Sequence, residues 1–298
     1  MSSEILLVSS EMMHMRLDKL LSAEFPSYSR TYFQYLIENG FVLVNGNVLK
    51  KKDKPDVGDE IEICFQLTPE ISLEPENIPL DILYEDADII AINKPVGMVT
   101  HPAPGHYSQT FVNGLLYHCK TLPQDHLRPG IVHRLDKETS GILLAAKTEK
   151  AHQKLVEMFS KRELKKTYLA ICIGSPGDIT IDAPIRRHPT KRKEMAVDPE
   201  GKSAITICKT LASNGNLSLM EVNLVTGRTH QIRVHMKYKG TPILGDTTYG
   251  SPTWNKKFAI SHQLLHAYKL EFTHPITGKH LHLAAPIPEC FKNLFTSI

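Results

Sequence analysis

From residue 88 onward the apolar residues arrive in short runs rich in Val, Ile, Leu and Ala, and this pattern limits the possible folds more than any other feature. Runs at 89–93, 141–147, 167–173, 204–211, 217–225 and 264–272 predict strands. Only two stretches between them keep a helical period. Residues 149–163 carry Ala151, Leu155, Met158 and Phe159 on one stripe behind Thr148, a residue suited to cap a helix. A second helix is predicted after Thr229, with Ile232, Val234 and Met236. Many strands, few helices and no regular alternation imply an α+β domain. Its central sheet should be mixed or antiparallel, with helices flanking it.

The first 65 residues read differently. Leu17, Leu20 and Leu21, then Phe33, Leu36 and Ile37, recur at helical spacing, and Ser29 stands where it would cap the second helix. Apolar residues then surround an Asn45-Gly46 turn, and a Gly58-Asp59 turn precedes Ile61 to Ile63, so a small sheet follows the two helices. Residues 66–80, with three prolines and little periodicity, read as an extended linker. The predicted organisation is a small α+β domain at 1–65, a linker at 66–80 and a large domain at 81–298.

Composition bounds the class. A hydrophobic share of 41% against 22% charged suits a folded globular protein, and a net charge of +3 gives no molecule-wide field. Any contact with a polyanion must come from local patches. Ile5 to Val8 is apolar, but Glu4 precedes it without a basic segment, so no signal peptide is expected. No apolar stretch nears the roughly 20 residues needed to cross a bilayer. The five cysteines are widely spaced with no C-x-x-C pair, which suits a reducing cytoplasm.

The densest polar cluster is His133-Arg134-Leu135-Asp136-Lys137-Glu138-Thr139-Ser140-Gly141, between the apolar pairs Ile131-Val132 and Ile142-Leu143. Strands are expected to lead in and out of it. Such a loop can hold a carboxylate rigidly and still open it to a ligand, although a charged hairpin tip has the same composition. Arg186, Arg187, Lys191, Arg192, Lys193 and Lys202 oppose only Glu194, Asp198 and Glu200 in their stretch, which favours contact with phosphates over a merely solvated hairpin.

H-R-L-D-K-x-T-S-G resembles the signature loop of the RluA-type pseudouridine synthases. Further pieces similar to that family follow in order: Asn93-Lys94-Pro95 with Gly97 and His101-Pro102, then Lys166-Thr167-Tyr168-Leu169-Ala170, then the run from Gly227 to His235. The likeness covers about residues 80 to 286, and Arg187 to Val197 looks most like the D-type members. Residues 15 to 64 resemble an S4 RNA-binding domain, whose pattern opens R-L-D-x-x-L and closes on V-x-V-N-G and V-x-x-G-D. Within that segment seven Lys or Arg face eight Asp or Glu, so basic character is confined to Lys50, Lys51, Lys52 and Lys54.

The resemblance implies conversion of uridine to pseudouridine in large-subunit ribosomal RNA or its assembly particle, by a monomer that needs no cofactor and no metal. It implies Asp136 as the catalytic carboxylate, Tyr168 stacked on the target base, and Arg233 paired with Asp136. Arg134 would fill the gap left by an extruded uridine, with Arg16, Arg30, Lys50, Arg187, Lys191, Arg192, Lys193 and Arg228 as further RNA contacts. Asp136 would act either as a nucleophile, on C1′ or the uracil ring, or as the base that removes the 2′ proton.

Other chemistries fit less well. His262, His266, His280 and His282 offer metal-ligand spacings, yet a zinc helix would need Glu where Gln263 stands. Gly201-Lys202-Ser203 lacks the first glycine of a phosphate loop, since Ala196 occupies its place. Ser140 lacks the glycine of a nucleophile elbow, with Glu138 there instead. A non-catalytic RNA-binding factor is the remaining alternative, and the joint presence of Asp136, Tyr168 and Arg233 argues against it.

Overall fold

The apolar runs pair as strands in the computed structural model, which describes residues 2–26, 28, 30–65, 74–102, 108–123, 128–191 and 193–295. Ser29 and Arg192 lie outside the described residues, as does the linker stretch 66–73. The chain divides into two units at residues 72 and 73.

In the first unit, β1 (Ser2–Leu7), α1 (Leu17–Glu24), α2 (Arg30–Glu38), β2 (Val42–Val44) and β3 (Glu60–Phe65) form two helices and an antiparallel sheet of order β1-β3-β2. The run Ile5 to Val8 therefore belongs largely to a strand, with Leu6 opposite Ile61. Asn45 and Gly46 both take positive φ, 49° and 76°, as a tight hairpin turn requires. Leu17, Leu20, Leu21, Phe33, Leu36 and Ile37 are buried together with Ile61 and Ile63, so the helical stripes and the strand alternation meet in one core. Arg16 and Arg30 both turn inward to Asp18, which is fully buried and also accepts a hydrogen bond from Gln34 at 2.7 Å. Burial pushes the Asp18 carboxyl up, and the bonds from Arg30, Gln34 and Arg16 outweigh it and hold it below its ordinary value.

The second unit runs β4 (Ile82–Glu85), β5 (Ile89–Lys94), α3 (Phe111–His118), β6 (Ser140–Ala146), α4 (Glu149–Lys161), β7 (Lys165–Ile173), β8 (Ile179–Asp182), β9 (Ile185–Arg187), β10 (Met195–Val197), β11 (Ile205–Ser213), β12 (Leu217–Leu224), α5 (Gln231–Tyr238), α6 (Pro252–Phe258), β13 (Leu265–Thr273), β14 (His280–Ala284) and α7 (Glu289–Phe295). Eight strands follow the order β4-β5-β6-β13-β7-β12-β11-β8, β14 adds to β13, and β9 and β10 make a separate hairpin. Every pairing in the large sheet is antiparallel except β6 with β13, so the sheet is mixed. Phe111 and Leu115 of α3 and Ile232 and Met236 of α5 pack with Ile90, Ile92, Leu143 and Ala170, while Ala151 and Leu155 of α4 cover the alternate residues Ile89, Ala91, Ile142 and Leu144. Residues 74–80 are tied to α3, with Asn113 Nδ2 donating to Glu74 O at 2.9 Å and the Glu76 N–H to Asn113 O at 3.0 Å. No helix of the described residues is long and apolar enough to cross a membrane.

Two expectations need correction. No strand leads into the 133–139 loop: Ile131 makes one isolated bridge to Ala145, and the chain runs irregularly from there to β6. Gly130 approaches β6 so closely, at φ +74°, that a Cβ would lie 2.4 Å from Ala146 O, but the pairing stops there, and the Leu144 N–H goes to the His133 side chain instead of a strand carbonyl. The helices α3, α6 and α7 were also unforeseen. In α3 the sequence FVNGLLYH has no polar face to mark a helical period, and a capping box between Thr110 and Asn113 starts it instead.

Gly141, the second residue of β6, takes φ +103°, and a Cβ there would meet Ala267 O at 2.3 Å and Ala267 N at 2.7 Å. Gly141→Ala should destabilise this unit by roughly 2–4 kcal/mol through strain and collision. Thermal unfolding followed by the fluorescence of Trp254, the only tryptophan, measures it.

Candidate active site

The 133–139 loop is fixed from several sides. Lys94 ends β5 fully buried and aims its ammonium at three carbonyls, Pro95 O at 2.8 Å, Met98 O at 3.0 Å and Lys137 O at 3.0 Å. Burial pulls it down to about 8, although the Glu138 and Asp136 charges act the other way. Thr100 Oγ1 donates to Leu135 O at 3.2 Å, and Gln263 Nε2 to Thr139 Oγ1 at 3.2 Å. His133 is part of this scaffold. Its Nε2 accepts the Leu144 N–H at 2.9 Å, its ring stacks on Phe159, and burial drives it down to about 3. A histidine so placed stays neutral near pH 7 and serves as a backbone acceptor.

The loop presents Asp136 to α5. Arg233 Nη1 donates to Asp136 Oδ2 at 2.9 Å. The rest of the guanidinium is bidentate to Asp246, Nε to Oδ2 at 2.7 Å and Nη2 to Oδ1 at 3.0 Å. Asp246 Oδ1 also accepts the N–H groups of Thr248 and Tyr249. The side chains are 6% exposed for Arg233, 0% for Asp246 and 18% for Asp136, so Asp136 is the carboxylate that a ligand can reach. Burial raises the Asp246 carboxyl, but the Arg233 bond and charge and the two N–H groups more than reverse it, leaving the group below its ordinary value. Burial opposes the Arg233 charge, and the two carboxylates overcome it and raise the guanidinium further.

Tyr168, on β7, is 9% exposed and lines the same cleft. Burial, and then the Asp136 charge, push its phenol upward, which keeps it protonated. The segment after β12 forms the opposite wall. Gln231 organises it by accepting from Thr226 Oγ1 and the Arg228 N–H, and by donating to Ile205 O and Thr206 Oγ1. Arg134 is exposed at the cleft, and Arg228 lines it while donating through Nε to Ser203 O.

Asp136, Tyr168, Arg233, Arg134 and Arg228 thus converge on one cleft. Arg187, Lys191 and Lys193 lie instead on the β9–β10 hairpin or its turn, where Arg186 is neutralised by Asp198 and Glu200, and Lys191 pairs with Glu194 at 3.4 Å. Lys50 is exposed in the first unit, where Arg16 and Arg30 hold Asp18. Asp246, Lys94 and Gln231 support the site without having been expected to. One signal for Asp246 was present, because Arg233 sits between the apolar residues Ile232 and Val234 and a buried guanidinium needs an anion.

Two sets of described residues bring potential metal-ligating atoms within 4.8 Å of one another, Glu85 with His118 and Cys119, and Glu271 with His280 and His282. In each the carboxylate already pairs with a lysine, Lys147 or Lys165. Neither set includes a residue of the cleft, and His262 and His266 belong to neither.

Residues 88–238 match the family model for RNA pseudouridylate synthase, and residues 15–61 match that for the S4 domain. An uncharacterized RNA pseudouridine synthase of Bacillus subtilis is 42% identical over 294 residues, covering 97% of this chain and 96% of that protein. The ribosomal large subunit pseudouridine synthase D of Pasteurella multocida is 43% identical over 296 residues, covering 95% and 91%. Among solved structures, human RNA pseudouridylate synthase domain containing 4 aligns with a TM-score of 0.55 at 26% identity, covering 72% of this chain and 91% of that one.

Asp246→Asn leaves a buried guanidinium with a neutral partner, and should cost about 3–5 kcal/mol in urea unfolding followed by Trp254. The depressed carboxyl of Asp246 stabilises the fold above the unfolded carboxylate value, near ~4, and that contribution disappears as pH falls through the lower folded value. The wild type should therefore lose stability in acid more steeply than Asp246→Asn.

Proposed function

The chain belongs to the RNA pseudouridylate synthase family, and from that premise we propose that it isomerises specific uridines of large-subunit ribosomal RNA, with Asp136 as the reacting carboxylate. The observation that carries this is the asymmetry around Asp136. Oδ2 is held by Arg233 at 2.9 Å, whereas Oδ1 accepts no hydrogen bond among the described residues, and His230 Nε2 stands 3.9 Å from it. One oxygen is anchored, and the other is left for a ligand of the cleft that Asp136 lines.

Isomerisation breaks the C1′–N1 bond, turns the uracil and rejoins it through C5, with loss of the C5 proton. The open oxygen of Asp136 serves either route, attack as a nucleophile or removal of the 2′ proton as a base. Tyr168 offers a neutral aromatic ring for the base to stack on, and its retained hydroxyl can meet a proton of the ring. Arg134, exposed at the mouth, fills the space vacated when the nucleotide leaves its helix. The reaction moves no net electrons, so it calls for no redox cofactor.

Binding must offset the few kcal/mol that extrusion costs. The S4 unit and the β9–β10 hairpin supply cations for this, Lys50 from the first and Arg187, Lys191, Arg192 and Lys193 from the second. A relative that matches over nearly the whole chain is named for the large ribosomal subunit, which supports that RNA or its assembly particle as the substrate. All five cysteines are free, as suits a monomer working in the reducing cytoplasm.

With large-subunit RNA tritiated at uracil C5, the wild type should release tritium while Asp136→Asn binds the RNA and releases none above background. Normal release by that variant would remove Asp136 from the mechanism. Lys191→Gln with Lys193→Gln should weaken binding most at low salt, and reduce the slope of log Kd against log salt by about one for each phosphate that the lysines neutralise. An unchanged slope would show that the hairpin does not touch phosphates.

A further inference from the structure

His230 stands between the last residue of the β12 loop and the first of α5, in the left-handed region at φ +56°. Non-glycine residues are rarely held there, and such constraint gathers at functional sites. Its ring is fixed by hydrogen bonding. The Tyr249 hydroxyl lies 2.8 Å from His230 Nδ1, and the same oxygen accepts the Met195 N–H at 2.7 Å. A backbone N–H can only donate. The phenol, 3% exposed, has a single hydrogen to give, and His230 Nδ1 is the acceptor within reach among the described residues. A Tyr249 hydroxyl that gives this hydrogen to Nδ1 leaves the ring hydrogen of a neutral His230 on Nε2, the atom 3.9 Å from Asp136 Oδ1.

We propose that His230 is a positioning residue for Asp136, and that a hydrogen-bond chain from the Met195 backbone through Tyr249 sets its tautomer so that an N–H faces the open oxygen. The role rests on Asp136 being the reacting carboxylate. Arg233 holds Oδ2 from one side, and the His230 N–H biases where Oδ1 points from the other. With the opposite tautomer a lone pair would face the carboxylate and repel it. Burial lowers the imidazole, Asp136 and Asp246 raise it, and Arg233 and Arg134 lower it, with a net downward shift that keeps it neutral near pH 7. The tautomer is then what decides the sign of its interaction with Asp136.

The chain also starts at a telling place. Met195 opens β10 of the basic hairpin, and it packs with Ile185, Val234 and Tyr249 in one cluster. The arm that carries the cations for RNA thus contributes the first donor of the series that ends at the carboxylate.

Full-length protein labelled with 15N at histidine tests this by long-range nitrogen–proton correlation, with His230→Gln identifying the signals. The wild type should show His230 bare at Nδ1 and protonated at Nε2, and Tyr249→Phe, which keeps the ring and removes the donor, should show both tautomers. Tyr249→Phe should also lower kcat on tritiated RNA by roughly tenfold, the effect of one missing hydrogen bond, with KM within about twofold. His230→Gln, which retains an N–H near the Nε2 position, should keep more activity than His230→Ala. A proton on Nδ1 in the wild type, an unchanged kcat in Tyr249→Phe, or a change confined to KM would each overturn the proposal. A wild type inactive on every large-subunit fragment would sink the proposed function, and this role with it. An active wild type with an unaffected Tyr249→Phe would sink this role alone.

Discussion

One guanidinium shared by two carboxylates sets the character of the site. Arg233 gives three of its donors to Asp246 and Asp136, and the group of three carries a net charge of −1 when all are ionised. In a poorly hydrated interior that excess charge is costly wherever it lies. Asp246 is saturated by Arg233 and two backbone N–H groups and is closed to solvent, so its share is balanced where it stands. The excess falls on Asp136, which is partly open and, among the described residues, accepts one side-chain hydrogen bond, from Arg233. The pairing thus keeps an anionic oxygen in a cleft without leaving a charge stranded in the core.

Such an arrangement demands a loop that does not move. The 133–139 segment has no strand before it, so its rigidity comes from side chains reaching in from other elements. Lys94 is the main one. An ammonium fully buried among three carbonyls links the end of β5 to the residue after Asp136. Its cost in desolvation is visible in its lowered proton affinity, and the carbonyls offset part of that cost. On the far side, Gly141 lets β6 approach β13 closely enough for the one parallel pairing of the sheet. His266, from that strand, meets Ser140 at 2.9 Å, so the exit from the loop is pinned as firmly as its middle.

What the sequence made legible followed from periodicity and from local chemistry. The six β-type runs became strands to within two residues at either end, because strands buried nearly throughout, such as β5, β6 and β7, leave continuous apolar runs in the sequence. Asp136, Tyr168 and Arg233 were singled out from motif likeness, and they meet at one cleft although they come from a loop, a strand and a helix far apart in the chain. The misses share a physical cause. α3 is mostly apolar, with Asn113 and His118 its polar residues, so its helical period has little to contrast with. Asp246, Tyr249 and Lys94 act through partners more than ten residues away, and no spacing rule encodes such a contact. In place of the strand expected before the loop, the His133 side chain takes the Leu144 N–H of β6, a contact that only the tertiary fold creates.

The same reasoning separates the cations by what already occupies them. Arg16 and Arg30 look basic in sequence, yet both are engaged by a buried aspartate, so removing either would disturb the first unit's core as much as any surface field. Arg186 is likewise spent on Asp198 and Glu200. Lys50, Lys193 and Arg134 are exposed, and a phosphate approaching them would displace water before it displaced a carboxylate. A chain of net charge +3 can therefore still meet a polyanion selectively, because its internal acids neutralise the arginines that build the fold and leave these cations open.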